Sequence, residues 1–180
     1  MKDTKILKEF AKGRRLPHYR YIGKADSIWM DYIKTVCNKT PESNEYSYTN
    51  RQDVELDFET YKDFLASYIQ KNVFDKIIID RCMEQFDNVT NLRFAILKEG
   101  DTVPEHLDSP KTLRMICMIE GSHIFKFEGD VECTMNEGDI YFVNGCYRHS
   151  VVNTTKGDRI ALLAKMEYNT HNENIINELL

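Results

Sequence analysis

The amino-acid sequence predicts a mainly β fold of the sandwich, barrel or jelly-roll kind, with helices ahead of it. Two observations carry this. From residue 91 onward, seven short apolar runs succeed one another: LRFAIL, TLRMICMI, HIFKF, VECTM, DIYFV, HSVV and RIALLAKM. They are punctuated by EGD, EG, EGD, NEGD, NG and KGD, turn signals that pair glycine with an acid or asparagine. Short strands with such punctuation build antiparallel sheets rather than βαβ units, which need a helix between strands.

The first ninety residues read as mainly helical. Ile28, Trp29, Tyr32, Ile33 and Val36 recur at helical spacing, with Asp26 and Ser27 as cap candidates. A polar stretch, NKTPESNEYSYTNRQD, follows as an exposed loop whose alternating tyrosines could also form a short strand. Phe58, Tyr61, Phe64, Leu65, Tyr68 and Ile69 mark a second helix face, and Phe74, Ile77, Ile78 and Cys82 a third. These stripes are expected to pack on an outer face of the sheets. The basic stretch GRRLPHYRYIGK is either a solvated arm or a contact for something acidic. The expected division is thus a helical region 1–90, a β core 91–168 and a tail 169–180, all in one structural domain.

Composition excludes several classes. The 180 residues are 42% hydrophobic and 29% charged, which suits a globular chain and not a disordered or coiled-coil one. A net charge of -5 argues against nucleic acid as the main partner. There is no apolar run long enough for a membrane span and no apolar leader in MKDTKILKEFAKGRR, so a cytoplasmic protein is expected. Five widely spaced cysteines without a CxxC pair read as reduced, and Cys117, Cys133 and Cys146 as small buried hydrophobes.

The chemistry is concentrated in three residues. His106 and Asp108 are two apart where a strand should begin, and alternation would aim both to one side. His149 opens HSVVN after the tight turn NGCYR. Two imidazoles and one carboxylate form the facial triad that suits Fe(II) and leaves positions open for a co-substrate and O₂. Structural zinc would prefer four ligands including cysteine, and Mg²⁺ or Ca²⁺ more oxygens. Arg159 lies ten residues after His149. If HSVVN and RIALL pair as a hairpin, its guanidinium enters the same cavity and can hold a dicarboxylate in a two-pronged contact.

EGDTVPEHLDSPKTLRMICMI and GDIYFVNGCYRHSVVNTTKGDRIALLAKM resemble the Fe(II)/2-oxoglutarate-dependent dioxygenases, and within them the aspartyl/asparaginyl β-hydroxylase-like group, which includes proline hydroxylases. The resemblance spans about residues 91–166. It implies a double-stranded β-helix, a jelly roll of cupin-like type. It makes His106, Asp108 and His149 the iron ligands and gives Arg159 the far carboxylate of 2-oxoglutarate. Arg114, eight residues after His106, matches a family arginine that would touch the near carboxylate or a substrate carboxylate. Where the family often carries a histidine two residues further on, this chain has Ile116. The implied reaction hydroxylates an amino acid or a residue of a peptide or protein, of Asp/Asn or Pro type, with Fe(II), 2-oxoglutarate and O₂.

His123 and Tyr147 are the candidates for the substrate pocket. His123 shares strand parity with Phe125 and Phe127 and either lines the pocket or sits in the core. Arg148 should point away from His149 by the same parity. A rival reading is a non-redox, cupin-type metal-dependent binding protein. Gly138, Gly145, His149 and Asn153 fit the second cupin motif, but the HxD at His106 departs from the usual HxH, and Arg159 has no role there.

Overall fold

The computed structural model describes residues 8, 10–25, 27, 30–31, 33–34, 52–55 and 90–178. Among these residues ten strands form two antiparallel sheets. The strands are β1 Tyr19–Lys24, β2 Gln52–Glu55, β3 Thr90–Leu97, β4 Thr102–His106, β5 Thr112–Glu120, β6 Ser122–Phe127, β7 Val131–Asn136, β8 Asp139–Asn144, β9 His149–Asn153 and β10 Arg159–Glu167. One sheet runs β1-β8-β5-β10-β3-β2 and the other β4-β9-β6-β7. This is the expected double-stranded β-helix, with each apolar run of the second half forming one strand.

The two sheets differ in sequence texture because they differ in how many faces are covered. In the four-stranded sheet, burial alternates strictly along β9 and nearly so along β6 and β7, the pattern of one dry face and one wet one. In the six-stranded sheet, β5 and β10 are buried almost throughout, so both faces are covered. The inner layer holds Ile116, Met118, Phe125, Phe127, Met135, Val151 and Leu163. On the outer face Phe94, Leu113, Met115, Phe142 and Leu162 meet Leu16, Met30, Ile33 and Ile176 from the chain's two ends. Met30 and Ile33 lie on the helical segment predicted from Ile28, and Ile33 is fully buried.

Three expectations change. The first ninety residues contribute strands as well as helix: β1 pairs with β8 and β2 with β3. Both are edge strands whose partners lie far along the chain, so no local periodicity announces them. The basic stretch 13–24 is therefore no solvated arm, since its second half is β1 and Leu16 is 1% exposed. Residues 169–180 are likewise more than a tail, because Thr170–Glu178 is a helix. Asn169 Oδ1 accepts from Asn172 N at 2.8 Å and caps its start, while Ile176 docks on the outer face. The second and third helix stripes, 58–69 and 74–82, lie outside the described residues.

Turn chemistry follows the punctuation. In the EGD turn between β6 and β7, Gly129 (φ 80°) and Asp130 (φ 58°) are both left-handed, a conformation glycine adopts freely and aspartate tolerates. Cys117, Cys133 and Cys146 are buried free thiols, and burial pushes Cys133 and Cys146 up to about 11. Such thiols stay protonated and act as packing residues.

Candidate metal centre

Each candidate ligand is placed by a different feature of the fold. β4 is an edge strand, and its pairing with β9 breaks register between Val103 and His106. Pro104 is tolerated there because an edge strand at an irregularity does not need every N–H. Beyond the break, His106 and His149 are register partners, directly opposite across the two strands. Opposed side chains on one face lie close, and the two imidazole centroids are 4.4 Å apart.

Asp108 arrives differently from its expected placement. β4 ends at His106, so strand alternation does not aim Asp108. It sits in the irregular segment after the strand, where its N–H donates to Gly145 O at 3.1 Å. Gly145 also leaves the space the carboxylate fills, since a Cβ there would come within 2.5 Å of Asp108 Oδ2. Arg114 of β5 then fixes the carboxylate from the opposite sheet, Nε donating to Oδ2 at 2.7 Å and Nη2 to Oδ1 at 2.8 Å. The result is a cluster of His106, Asp108 and His149 with ligand atoms all within 4.8 Å of one another. Asp108 Oδ1 is 3.9 Å from His106 Nε2, and Oδ2 is 4.0 Å from His149 Nε2.

The donor chemistry fits a divalent metal. His106 Nδ1 lies 2.8 Å from Pro104 O, and His149 Nδ1 lies 2.9 Å from Tyr147 O. A carbonyl only accepts, so each Nδ1 carries the hydrogen and each Nε2 turns a lone pair inward. Arg114 occupies one acceptor position on each carboxylate oxygen and leaves the others for an ion. Three protein donors, two imidazole and one carboxylate, match a site with open coordination positions.

Electrostatics keep the cluster ready for a cation. Burial raises the Asp108 carboxyl, but the Arg114 hydrogen bonds and charge, with the two imidazoles, outweigh it and hold the group below its ordinary range. Burial lowers His149 from its ordinary 6.5. It lowers His123 much further, helped by the Arg159 charge. A stability consequence follows for the metal-free protein. As pH drops through 6.5 the unfolded imidazoles take up protons while the folded ones do not, so the unfolded state gains. The urea midpoint in the presence of a chelator should therefore fall steadily from pH 7 toward pH 5, the loss ending only below the folded values. A midpoint that stayed flat over that span would contradict the buried, neutral imidazoles.

Behind the cluster a cavity runs between the sheets, lined by His106, His149, Arg114, Arg159 and His123 and by apolar walls such as Ile116, Phe125 and Leu163. Arg159 reaches it by a route other than the one expected. HSVVN and RIALL are not a hairpin: β9 pairs with β4 and β6, whereas β10 pairs with β3 and β5. The segment between them crosses from one sheet to the other, pinned by Asn153, whose Nδ2 donates to Leu97 O, Lys98 O and Gly157 O at 2.9–3.0 Å. Arg159 thus faces His149 across the sandwich. It is 4% exposed, with Nη1 donating to Ala95 O at 3.1 Å.

His123 belongs to the cavity wall, at 1% exposure. Tyr147 does not line the cavity. Its ring stacks on His18 at 3.8 Å, and its hydroxyl donates to Arg14 O and Leu16 O. Arg148 points out as expected, 3.7 Å from Glu105. Sequence reading missed the clamp that Tyr147 belongs to. Segment 13–18 lies along the Gly145–Arg148 turn, and Asn144 ties them together by donating to Gly13 O and Leu16 O and accepting from Cys146 N. An asparagine before glycine was the available sign, and it reads as an ordinary turn.

Comparison with known proteins now bears on the assembled site. The aspartyl/asparaginyl beta-hydroxylase family is matched over residues 27–168. The chain belongs to that family. It is therefore a hydroxylase by descent. Solved structures similar to it include a 2OG-Fe(II) oxygenase family oxidoreductase from Burkholderia pseudomallei, at 11% identity, TM-score 0.59, covering 90% of this chain and 89% of the other. A Pseudomonas putida prolyl-4-hydroxylase aligns at 13% identity and TM-score 0.55, covering 91% and 97%. A viral collagen prolyl hydroxylase from Paramecium Bursaria Chlorella virus-1, solved with 2-oxoglutarate, aligns at 11% identity and TM-score 0.53, covering 86% and 97%. No curated protein sequence matches the chain. No helix among the described residues is long and apolar enough to cross a membrane.

Proposed function

We propose that this hydroxylase is Fe(II)- and 2-oxoglutarate-dependent and acts on an amino acid or on a residue of a peptide or protein, of Asp/Asn or Pro type. The observation that carries the reading is the meeting of His106, Asp108 and His149 at a cavity that also holds the buried Arg159. His106, Asp108 and His149 would hold the iron. Bound iron with 2-oxoglutarate and O₂ supplies oxidation of an unactivated C–H bond, with succinate and CO₂ released.

The chain's own residues position these partners. Arg159 offers the far carboxylate of 2-oxoglutarate a charge-assisted contact in a dry wall, where such a contact is strong. Ile116, Phe125, Val151 and Leu163 exclude water from the space between that arginine and the cluster. Arg114 lines the same space, but with Nε and Nη2 on Asp108 its first task is to hold a ligand, and its reach toward the near carboxylate is secondary. No side chain needs to act as general acid or base.

The test is anaerobic addition of Fe(II) and 2-oxoglutarate, followed by O₂. A visible charge-transfer band and succinate release are expected. A coupled-turnover panel containing free proline and aspartyl peptides then assigns the substrate class. Absence of both band and succinate in fully metallated protein would favour a cupin-type binding protein instead.

A further inference from the structure

Among the described residues, His123 is the polar cavity group that neither the metal cluster nor Arg159 accounts for. Among the described residues, five polar side chains line the space: His106, His149, Arg114, Arg159 and His123. The two cluster histidines are fixed by backbone carbonyls, and Arg114 is fixed on Asp108. Arg159, held by Ala95 O, and His123 reach in from opposite sheets, on β10 and β6. His123 is 1% exposed, and among the described residues its Nδ1 has no hydrogen-bond partner. An orphaned ring nitrogen this deep is costly unless something else satisfies it.

We propose that His123 is a second donor to the far carboxylate of 2-oxoglutarate, working beside Arg159. This rests on the reading of the cavity as the 2-oxoglutarate site. His123 Nε2 lies 3.1 Å from Met135 Sδ, and a thioether has no hydrogen to give. The neutral ring therefore carries its hydrogen on Nε2 and presents a lone pair at Nδ1. To donate from Nδ1 while Nε2 keeps its hydrogen on the thioether, the ring takes a second proton from solvent and becomes imidazolium. The other neutral tautomer would turn the Nε2 lone pair against the lone pairs of Met135 Sδ. Burial and the Arg159 charge oppose that proton, and an arriving carboxylate reverses the balance. The other charged or titratable groups around the cavity are Arg114 on β5, His106 on β4 and His149 on β9. On β7, Met135 is the register partner of His123, and Cys133 lies two residues before it. Ile116, on the facing strand β5, brings no polar group to the same wall.

The experiment is calorimetric titration of the anaerobic Fe(II)-loaded protein with 2-oxoglutarate near neutral pH, in buffers of different ionisation heat. Wild type should bind with uptake of close to one proton. His123→Asn and His123→Gln should take up none and bind roughly 10- to 100-fold more weakly, the usual worth of a hydrogen bond to a charged group. 2-Oxobutyrate, which lacks the far carboxylate, should bind wild type and both variants alike. Equal 2-oxoglutarate affinity and equal proton uptake in wild type and variants would overturn the role of His123 and leave the dioxygenase reading standing. A loss that extended equally to 2-oxobutyrate would also overturn it. Wild type that failed to bind 2-oxoglutarate at all would sink both readings.

Discussion

Asp108→Ala is expected to remove 2-oxoglutarate turnover and to destabilise the fold at the same time. The catalytic loss should exceed the roughly 10- to 100-fold that changes around a metal's ligands cost, because a ligand itself is removed. The stability loss comes from Arg114. Its side chain is 16% exposed, its bidentate partner is 10% exposed, and the alanine strands a guanidinium in the inner layer. Removing one member of a buried pair costs about 3 kcal/mol or more. The two effects separate in a double variant. Asp108→Ala with Arg114→Met should regain much of the urea midpoint while remaining inactive. Asp108→Ala that consumed 2-oxoglutarate as fast as wild type would refute the ligand assignment. A double variant no steadier than the single one would refute the stranded charge.

Asn144→Ala is the second large expected effect, and it acts without touching the cluster. Asn144 is fully buried, and its amide satisfies two carbonyls and one N–H around the turn that seats Asp108. Leaving such groups without partners costs about 1–3 kcal/mol each, though the sites are coupled and do not simply add. A net loss of about 3 kcal/mol should lower the melting temperature by about 6–12 °C for a chain of this size. Iron affinity should fall as well, since Gly145 O no longer holds the Asp108 backbone in one place. An unchanged melting temperature would show that the clamp between segment 13–18 and the turn is not structural. Lost stability with wild-type iron affinity would show that the turn does not position Asp108.

Much of the fold was legible because its causes are local. Alternating burial in β6, β7 and β9 and the glycine turns between them are properties of a few neighbouring residues, so β3 and β5 to β10 could be read from their own composition, whereas β4, expected to begin at His106, ends there. β1 and β2 could not. Each is an edge strand stabilised by a partner more than thirty residues away, and nothing in YRYIGK or QDVE says which edge it will find. The C-terminal helix was missed for a related reason. Its sequence is polar and short, and it is held by the Asn169 cap, the buried Asn172 and the docked Ile175 and Ile176.

The candidate site divides along the same line. His106, Asp108, His149 and Arg159 could be picked out by residue type and spacing, and the structure brings all four to one place. The reasons given by spacing were partly wrong. Asp108 is aimed by Gly145 and Arg114 and not by strand alternation, and Arg159 comes from the facing sheet and not from a hairpin. The sequence by itself determined which side chains are candidates for the chemistry, since ligand identity is a matter of donor atoms. Only the tertiary structure decided how they meet: His106 opposite His149 in register, Arg114 on Asp108, and His123 across the cavity from Arg159. Those encounters depend on which sheet each strand joins. That choice is made by pairing and by the burial of two faces against each other, interactions between segments that no window of neighbouring residues contains.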